Sequence, residues 1–245
     1  RQDLAIHMEK GVPVRIEKVV ALHTSRDRAI SESLTEALTL VGRVPDFAEL
    51  LRSHALAWDQ LWRRCDIVLS HRRRDQRILR LHIFHLLQTV SRNSVDLDVG
   101  VPARGLHGEA YRGHVFWDEL FIFPFLNFRT PEITNSLIRY RHRRLDEARA
   151  LARDAGYRGA MFPWQSGSNG REETQTTHLN PASGRWIPDR SHRQRHVNAA
   201  IAYNVWSHYR ITGNHGFMSV FGAEILLEIA RFWASAAHYN PDRGR

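Results

Sequence analysis

Two stretches of the sequence gather side chains suited to holding a sugar. The first reads Pro102-Ala103-Arg104-Gly105-Leu106-His107-Gly108-Glu109-Ala110-Tyr111-Arg112-Gly113-His114-Val115-Phe116-Trp117-Asp118. The second reads Phe162-Pro163-Trp164-Gln165-Ser166-Gly167-Ser168-Asn169-Gly170-Arg171-Glu172-Glu173. Each sets a Trp beside a group that binds hydroxyls, Asp118 in one and Gln165 in the other, and each carries glycines that let the backbone approach a ligand. Aromatic faces stack on the C–H faces of a sugar ring, while carboxylates, amides and guanidiniums bind its hydroxyls. The candidate contacts are Phe116, Trp117, Asp118, Trp164, Gln165, Arg171 and Glu172. Composition alone equally allows a plainer reading of each stretch. Phe116 and Trp117 would then open a buried helix capped by Asp118, and the second stretch would be a surface loop anchored by one Trp.

Other chemistries find less support. There are 15 histidines, but none stands in HExxH or in a Cys/His zinc pattern, and no metal site or cofactor is expected. His82 and His85 share a helix face without further ligands. His196, close to a helix start and four residues after His192, reads either as a sugar-hydroxyl contact or as a structural residue. Ser166-Gly167-Ser168 is not a nucleophile elbow, and no Walker or GxGxxG pattern accompanies the glycines. Cys65 is the single cysteine, which excludes an internal disulfide. It reads as a small half-buried thiol, and a reducing cytoplasmic location fits it.

The elements that must position these residues are mostly helical. Residues 13–22 alternate and then turn continuously apolar, which predicts a strand, and Thr24-Ser25-Arg26-Asp27 predicts a turn. Apolar spacing predicts helices over 29–41, over 46–65 with Asp46 as cap, and from Asp75 through Leu87, the last buried over much of its circumference. Thr130-Pro131-Glu132 starts a helix that the pattern carries to residue 155, where Gly156 ends it. Further helices are predicted over 197–211 and 220–237. Residues 92–119 and 156–195 break the pattern, and the second is too aromatic for disorder.

Hydrophobic residues at 42% and charged residues at 25% describe an ordinary globular protein of mainly α class. The net charge of +9 is almost wholly arginine, since Lys10 and Lys18 are the only lysines. The arginines are spread over every element, so nucleic-acid binding, which needs them on one face, is not expected. The densest run, His71-Arg72-Arg73-Arg74, reads as a solvated loop between helices. No apolar run approaches the roughly 20 residues that span a bilayer. Arg1-Gln2-Asp3 at one end and Asn240-Pro241-Asp242-Arg243-Gly244-Arg245 at the other read as cuts inside a longer protein.

The two stretches carry a resemblance. Residues 102–118 resemble the most distinctive segment of glycoside hydrolase family 65, which includes maltose, trehalose, kojibiose and nigerose phosphorylases and acid trehalases. Tyr157-Arg158-Gly159-Ala160 with Pro163-Trp164-Gln165-Ser166 resembles a second segment, Arg231-Phe232-Trp233-Ala234 a third, and Phe84-His85-Leu86-Leu87-Gln88 a fourth. The resemblance implies the end of an N-terminal β-sandwich over 1–28, a helical linker over 29–45, and the first part of an (α/α)6 barrel over 46–245. It implies that Trp117 and Asp118 line the subsite of the non-reducing glucose and that Trp164 stacks on sugar. Gln165 stands where the family more usually has Glu. The implied reaction is inverting phosphorolysis of an α-glucosidic disaccharide to β-glucose 1-phosphate, with inorganic phosphate as co-substrate. The hydrolytic alternative is of the acid trehalase type, with water in place of phosphate. The general acid, a Glu, is expected C-terminal to Arg245, and a homodimer is the family's suggestion for assembly.

Overall fold

The computed structural model describes residues 3–106, 108 and 111–244; His107, Glu109 and Ala110 of the first stretch lie outside the described residues. The chain divides into two compact units, Arg1–Arg64 and Cys65–Arg245.

In the first unit, residues 13–22 belong to no strand, and Val14, Ile16, Val19, Val20 and Leu22 are exposed. The strand expectation is corrected here. Alternation describes a backbone that suits a sheet, whereas a strand exists only with a pairing partner, and none occurs among the described residues of this unit. The turn at Thr24–Asp27 forms as expected, closed by the Asp27 amide on the Thr24 carbonyl at 3.1 Å. Helix α1 (Ser33–Val41) begins later than its apolar pattern because the Glu32 carboxylate accepts the Thr35 amide at 2.7 Å and so fixes the start. Helix α2 (Phe47–Cys65) starts where Asp46 predicts, with Asp46 Oδ1 accepting the Glu49 amide at 2.8 Å.

The second unit holds the core. Helix α3 (Arg73–Thr89) takes in Arg73 and Arg74, which the sequence placed in a loop, and it buries only Ile83 and Leu87. Asp75 lies within its first turn and pairs with Arg72 at 3.3 Å instead of capping. Helix α4 (Glu119–Arg129) is joined through Thr130 alone to α5 (Pro131–His142), with Pro131 at the first helical position. The helix expected to reach residue 155 breaks at Arg143 and Arg144 and restarts as α6 (Leu145–Asp154). At the break Arg144 (φ −113°, ψ 20°) sends its guanidinium to Asp98, at 2.8 and 3.0 Å, and to the Ser168 carbonyl at 2.9 Å. Strands β1 (Thr177–Asn180) and β2 (Arg185–Pro188) form an antiparallel hairpin with Leu179 opposite Trp186.

Helix α7 (His196–Thr212) ends at Gly213, which takes φ +62°. A short turn α8 (His215–Phe217) and a π turn (Met218–Gly222) lead into α9 (Ala223–Ala236). Leucines, isoleucines and phenylalanines of α4, α5, α7 and α9, together with Val101, Ala160 and Phe162 from the loops, form one buried cluster. In α7 the stripe Val197, Ile201, Val205 falls at four-residue intervals, the spacing that keeps one helix face inward. The protein is mainly α. Among the described residues no helix is long and apolar enough to cross a membrane, and no group of three or more His, Cys, Asp or Glu side chains is placed to hold a metal ion.

Candidate functional site

The two irregular stretches meet, and the meeting begins in the backbone. The Val115 amide donates to the Ser166 carbonyl at 3.1 Å and the Ser166 amide returns to the Val115 carbonyl at 2.9 Å. Ser166 also bridges to Glu172, so residues 164–173 fold back as a tight loop beside residues 115–117. The second loop is pinned to the first turn of α7 by the Phe162 amide, which donates to Asn198 Oδ1 at 2.9 Å. Upstream, Gly159 (φ +71°) passes so close to α9 that a Cβ there would stand 2.2 Å from the Glu228 carbonyl oxygen. Only glycine permits that approach.

These ties bring three rings together. Trp117 and Trp164 have centroids 6.2 Å apart, and the His196 ring lies 4.7 Å from Trp117 and 5.0 Å from Trp164. Both tryptophans are half-buried and His196 is exposed, so the group opens to solvent. Phe116 is buried and stands edge-on to Trp164 at 5.6 Å, supporting it from below. His196, read from the sequence as a sugar-hydroxyl contact or a structural residue, thus packs its ring against both tryptophans.

Asp118 precedes α4 but makes no side-chain capping bond, so its carboxylate is not consumed by the helix start. Burial pushes its pKa above the ordinary range. The next residue, Glu119, is fully buried and accepts from Arg141 Nε and Nη2 at 3.2 and 3.0 Å. Burial raises the Glu119 pKa, while the guanidinium pulls in the opposite direction.

The remaining candidates divide. Glu172 is committed to its own loop: it accepts the Trp164 amide at 2.8 Å, the Gln165 amide at 3.1 Å, and the Thr174 amide at 3.2 Å together with the Thr174 hydroxyl. Its role on this geometry is to hold Trp164 rather than to face a ligand. Gln165 is buried, with its backbone paired to Glu172 and Glu173. The Arg171 side chain is exposed, and its carbonyl accepts the Gly167 amide at 3.1 Å.

Sequence reasoning missed the residues behind the site, Tyr140, Arg141, Arg144 and Asn198. A signal for three of them existed. The buried stripe of α5 runs Ile133, Leu137, Tyr140 and Arg141, and Arg144 continues it; two arginines therefore stand at core positions. A buried guanidinium must be paired, so such a phase marks a polar anchor.

Comparison with known proteins bears on the same segments. Residues 80–245 match the glycosyl hydrolase family 65 central catalytic domain, and residues 1–61 match that family's N-terminal domain. An uncharacterized glycosyl hydrolase of Mycobacterium tuberculosis (strain ATCC 25618 / H37Rv) is 50% identical over 99% of this chain and 18% of its own length. Trehalose 6-phosphate phosphorylase of Lactococcus lactis subsp. lactis (strain IL1403) is 35% identical over 98% of this chain and 31% of its own length. A solved structure from the human microbiome, provisionally named a kojibiose phosphorylase, is 28% identical with a TM-score of 0.72, covering 86% of this chain and 27% of the other. The chain thus spans less than a third of the relatives it matches, but its catalytic-domain match takes in both site loops, α7 and α9, and on that ground the chain belongs to glycosyl hydrolase family 65.

Proposed function

We propose that the protein is an inverting phosphorylase of an α-glucosidic disaccharide and that this chain supplies the pocket for the non-reducing glucose. The observation that carries the reading is the convergence of Trp117, Trp164 and His196, with the uncapped carboxylate of Asp118 next in sequence to Trp117. Two tilted indoles present apolar faces to the C–H faces of a pyranose, and a partly desolvated carboxylate accepts strongly from sugar hydroxyls. The relatives named for phosphorolysis favour phosphate over water as the attacking group.

In the proposed reaction a phosphate oxygen bonds to the anomeric carbon from the face opposite the leaving group. The glycosidic C–O bond breaks, and a carboxylic acid passes its proton to the departing oxygen. That acid is proposed to be a Glu on a segment following Arg245, within the first part of whose (α/α)6 barrel this chain would lie. The substrate is then the disaccharide, inorganic phosphate is co-substrate, and no cofactor takes part.

The test is incubation of the full-length protein with trehalose, kojibiose, maltose and nigerose, with and without inorganic phosphate. Phosphate-dependent release of glucose 1-phosphate from one of them is expected, and Asp118→Ala should lower kcat/KM by about 100-fold, the size of a lost hydrogen bond to a charged group. Release of free glucose at a rate indifferent to phosphate assigns hydrolysis instead.

A further inference from the structure

Two neighbouring residues of α5, Tyr140 and Arg141, reach different loops of the site. Arg141 Nη2 donates to the Phe116 carbonyl at 2.6 Å and to Glu119 Oε2 at 3.0 Å. Its two attachment points lie immediately before Trp117 and immediately after Asp118, so one guanidinium brackets that dipeptide. Both members of the Arg141–Glu119 pair are 2% exposed, and neither has solvent to exchange partners with. The Tyr140 hydroxyl, also buried, stands 2.8 Å from Ser166 Oγ and donates to the Gly167 carbonyl, just past Trp164 and Gln165. The Arg144 guanidinium lies over the Tyr140 ring at 3.8 Å and holds the next carbonyl, that of Ser168.

We infer that Tyr140 and Arg141 are positioning residues that set the spacing between the two sugar-facing tryptophans. Arg141 fixes the segment bearing Trp117 and Asp118, and Tyr140 fixes the segment bearing Trp164. Because they are adjacent on one helix, the separation of the loops is referred to a single rigid element instead of to two. A site held this way loses ground when its supports loosen by fractions of an ångström, although neither support touches the ligand. The inference rests on the proposed sugar site.

The experiment uses the full-length protein and the glucoside that it turns over. Tyr140→Phe keeps the ring and its stacking and removes only the hydroxyl. It is expected to melt within a few degrees of the parent while KM for the glucoside rises about 10-fold and KM for phosphate is unchanged. Arg141→Lys retains a cation for Glu119 without the guanidinium fork that also reaches the Phe116 carbonyl, and it should give the same split with a larger change. Ser166→Ala removes one Tyr140 partner from the other side. In a double-mutant cycle, Tyr140→Phe with Ser166→Ala should be no worse than Tyr140→Phe alone. If Tyr140→Phe does not fold, Ser166→Ala carries the test with the tyrosine intact. A folded Tyr140→Phe or Ser166→Ala protein with parental KM, alongside a Trp164→Ala protein that is impaired, overturns the positioning role and leaves the sugar site standing. If Trp117→Ala and Trp164→Ala also leave glucoside kinetics unchanged, the sugar site itself is wrong and the inference falls with it.

Discussion

The two loops that form the site share an anchor on α5 and differ in what they add to it. The loop bearing Trp164 adds fastening of its own to the Tyr140 bonds: the Glu172 carboxylate accepts from Trp164, Gln165 and Thr174, all within the same loop. The segment bearing Trp117 and Asp118 is tied from outside, by Arg141 of α5 at both its ends and by Ser166 at Val115. A self-fastened loop can be altered with local consequences. A loop that borrows its fastening from a buried ion pair couples the site to the stability of the core. The arrangement teaches that Trp117 and Asp118 are placed by the helix packing behind them, whereas Trp164 is held both by that helix, through Tyr140, and by its own loop.

The sharpest way to break this contrast is to remove the borrowed anchor. Arg141→Met leaves Glu119 buried without its cation, and breaking a buried pair from one side costs about 3–5 kcal/mol. Denaturant unfolding of the full-length protein should show a loss of that size in the unit containing α5. Replacing both partners, Arg141→Met with Glu119→Leu, should restore most of it, because no orphaned charge remains. A single variant costing under about 1 kcal/mol would mean that the Trp117 segment is also self-supporting.

Much of this architecture was legible in the sequence, and the failures have identifiable physics. Asp46 and Thr130-Pro131 gave the starts of α2 and α5 because caps and first-turn prolines act within a few residues. The break at Arg144 was invisible because its cause, the pull of Asp98 and the Ser168 carbonyl, lies more than twenty residues away on either side. The pairing of Trp117 with Trp164 came from residue type and resemblance; that the two lie together is set by the Val115–Ser166 bridge, which no local pattern announces. Glu172 looked like a ligand contact for the same reason that it makes a good internal acceptor. A carboxylate in a glycine-rich turn serves backbone amides as readily as hydroxyls, and only coordinates tell which it has found.

A middle-sized effect tests the other side of the contrast. Glu172→Ala removes the acceptor for three amides of one loop, and about 2 kcal/mol of local stability should go with it. Hydrogen exchange at the amides of Trp164, Gln165 and Thr174 should quicken by about 30-fold, the same free energy expressed as a rate. The amides of α4 should keep their protection. Equal deprotection of both regions would show that Glu172 supports both loops rather than its own alone.

The smallest effect concerns Asp118, where the two demands on the Trp117 segment meet. Burial holds its pKa above the ordinary carboxylate value, so the folded protein binds this proton more tightly than the unfolded chain does. Stability from this residue is therefore greatest at pH values below the unfolded pKa. It declines as pH rises through the window between the unfolded and the raised folded pKa, and above that window the ionised group is a constant burden. Asp118→Asn removes the ionisation and should melt about 1 °C above the parent at neutral pH, with the gap closing as the pH is brought below 4. The same variant should bind glucoside more weakly. A protein that gains stability and loses affinity by one substitution is what a desolvated, uncapped carboxylate held ready for a ligand predicts. An Asn variant that instead loses stability at neutral pH would mark Asp118 as a structural acceptor, and the borrowed anchor of Arg141 would then serve the helix start rather than the site.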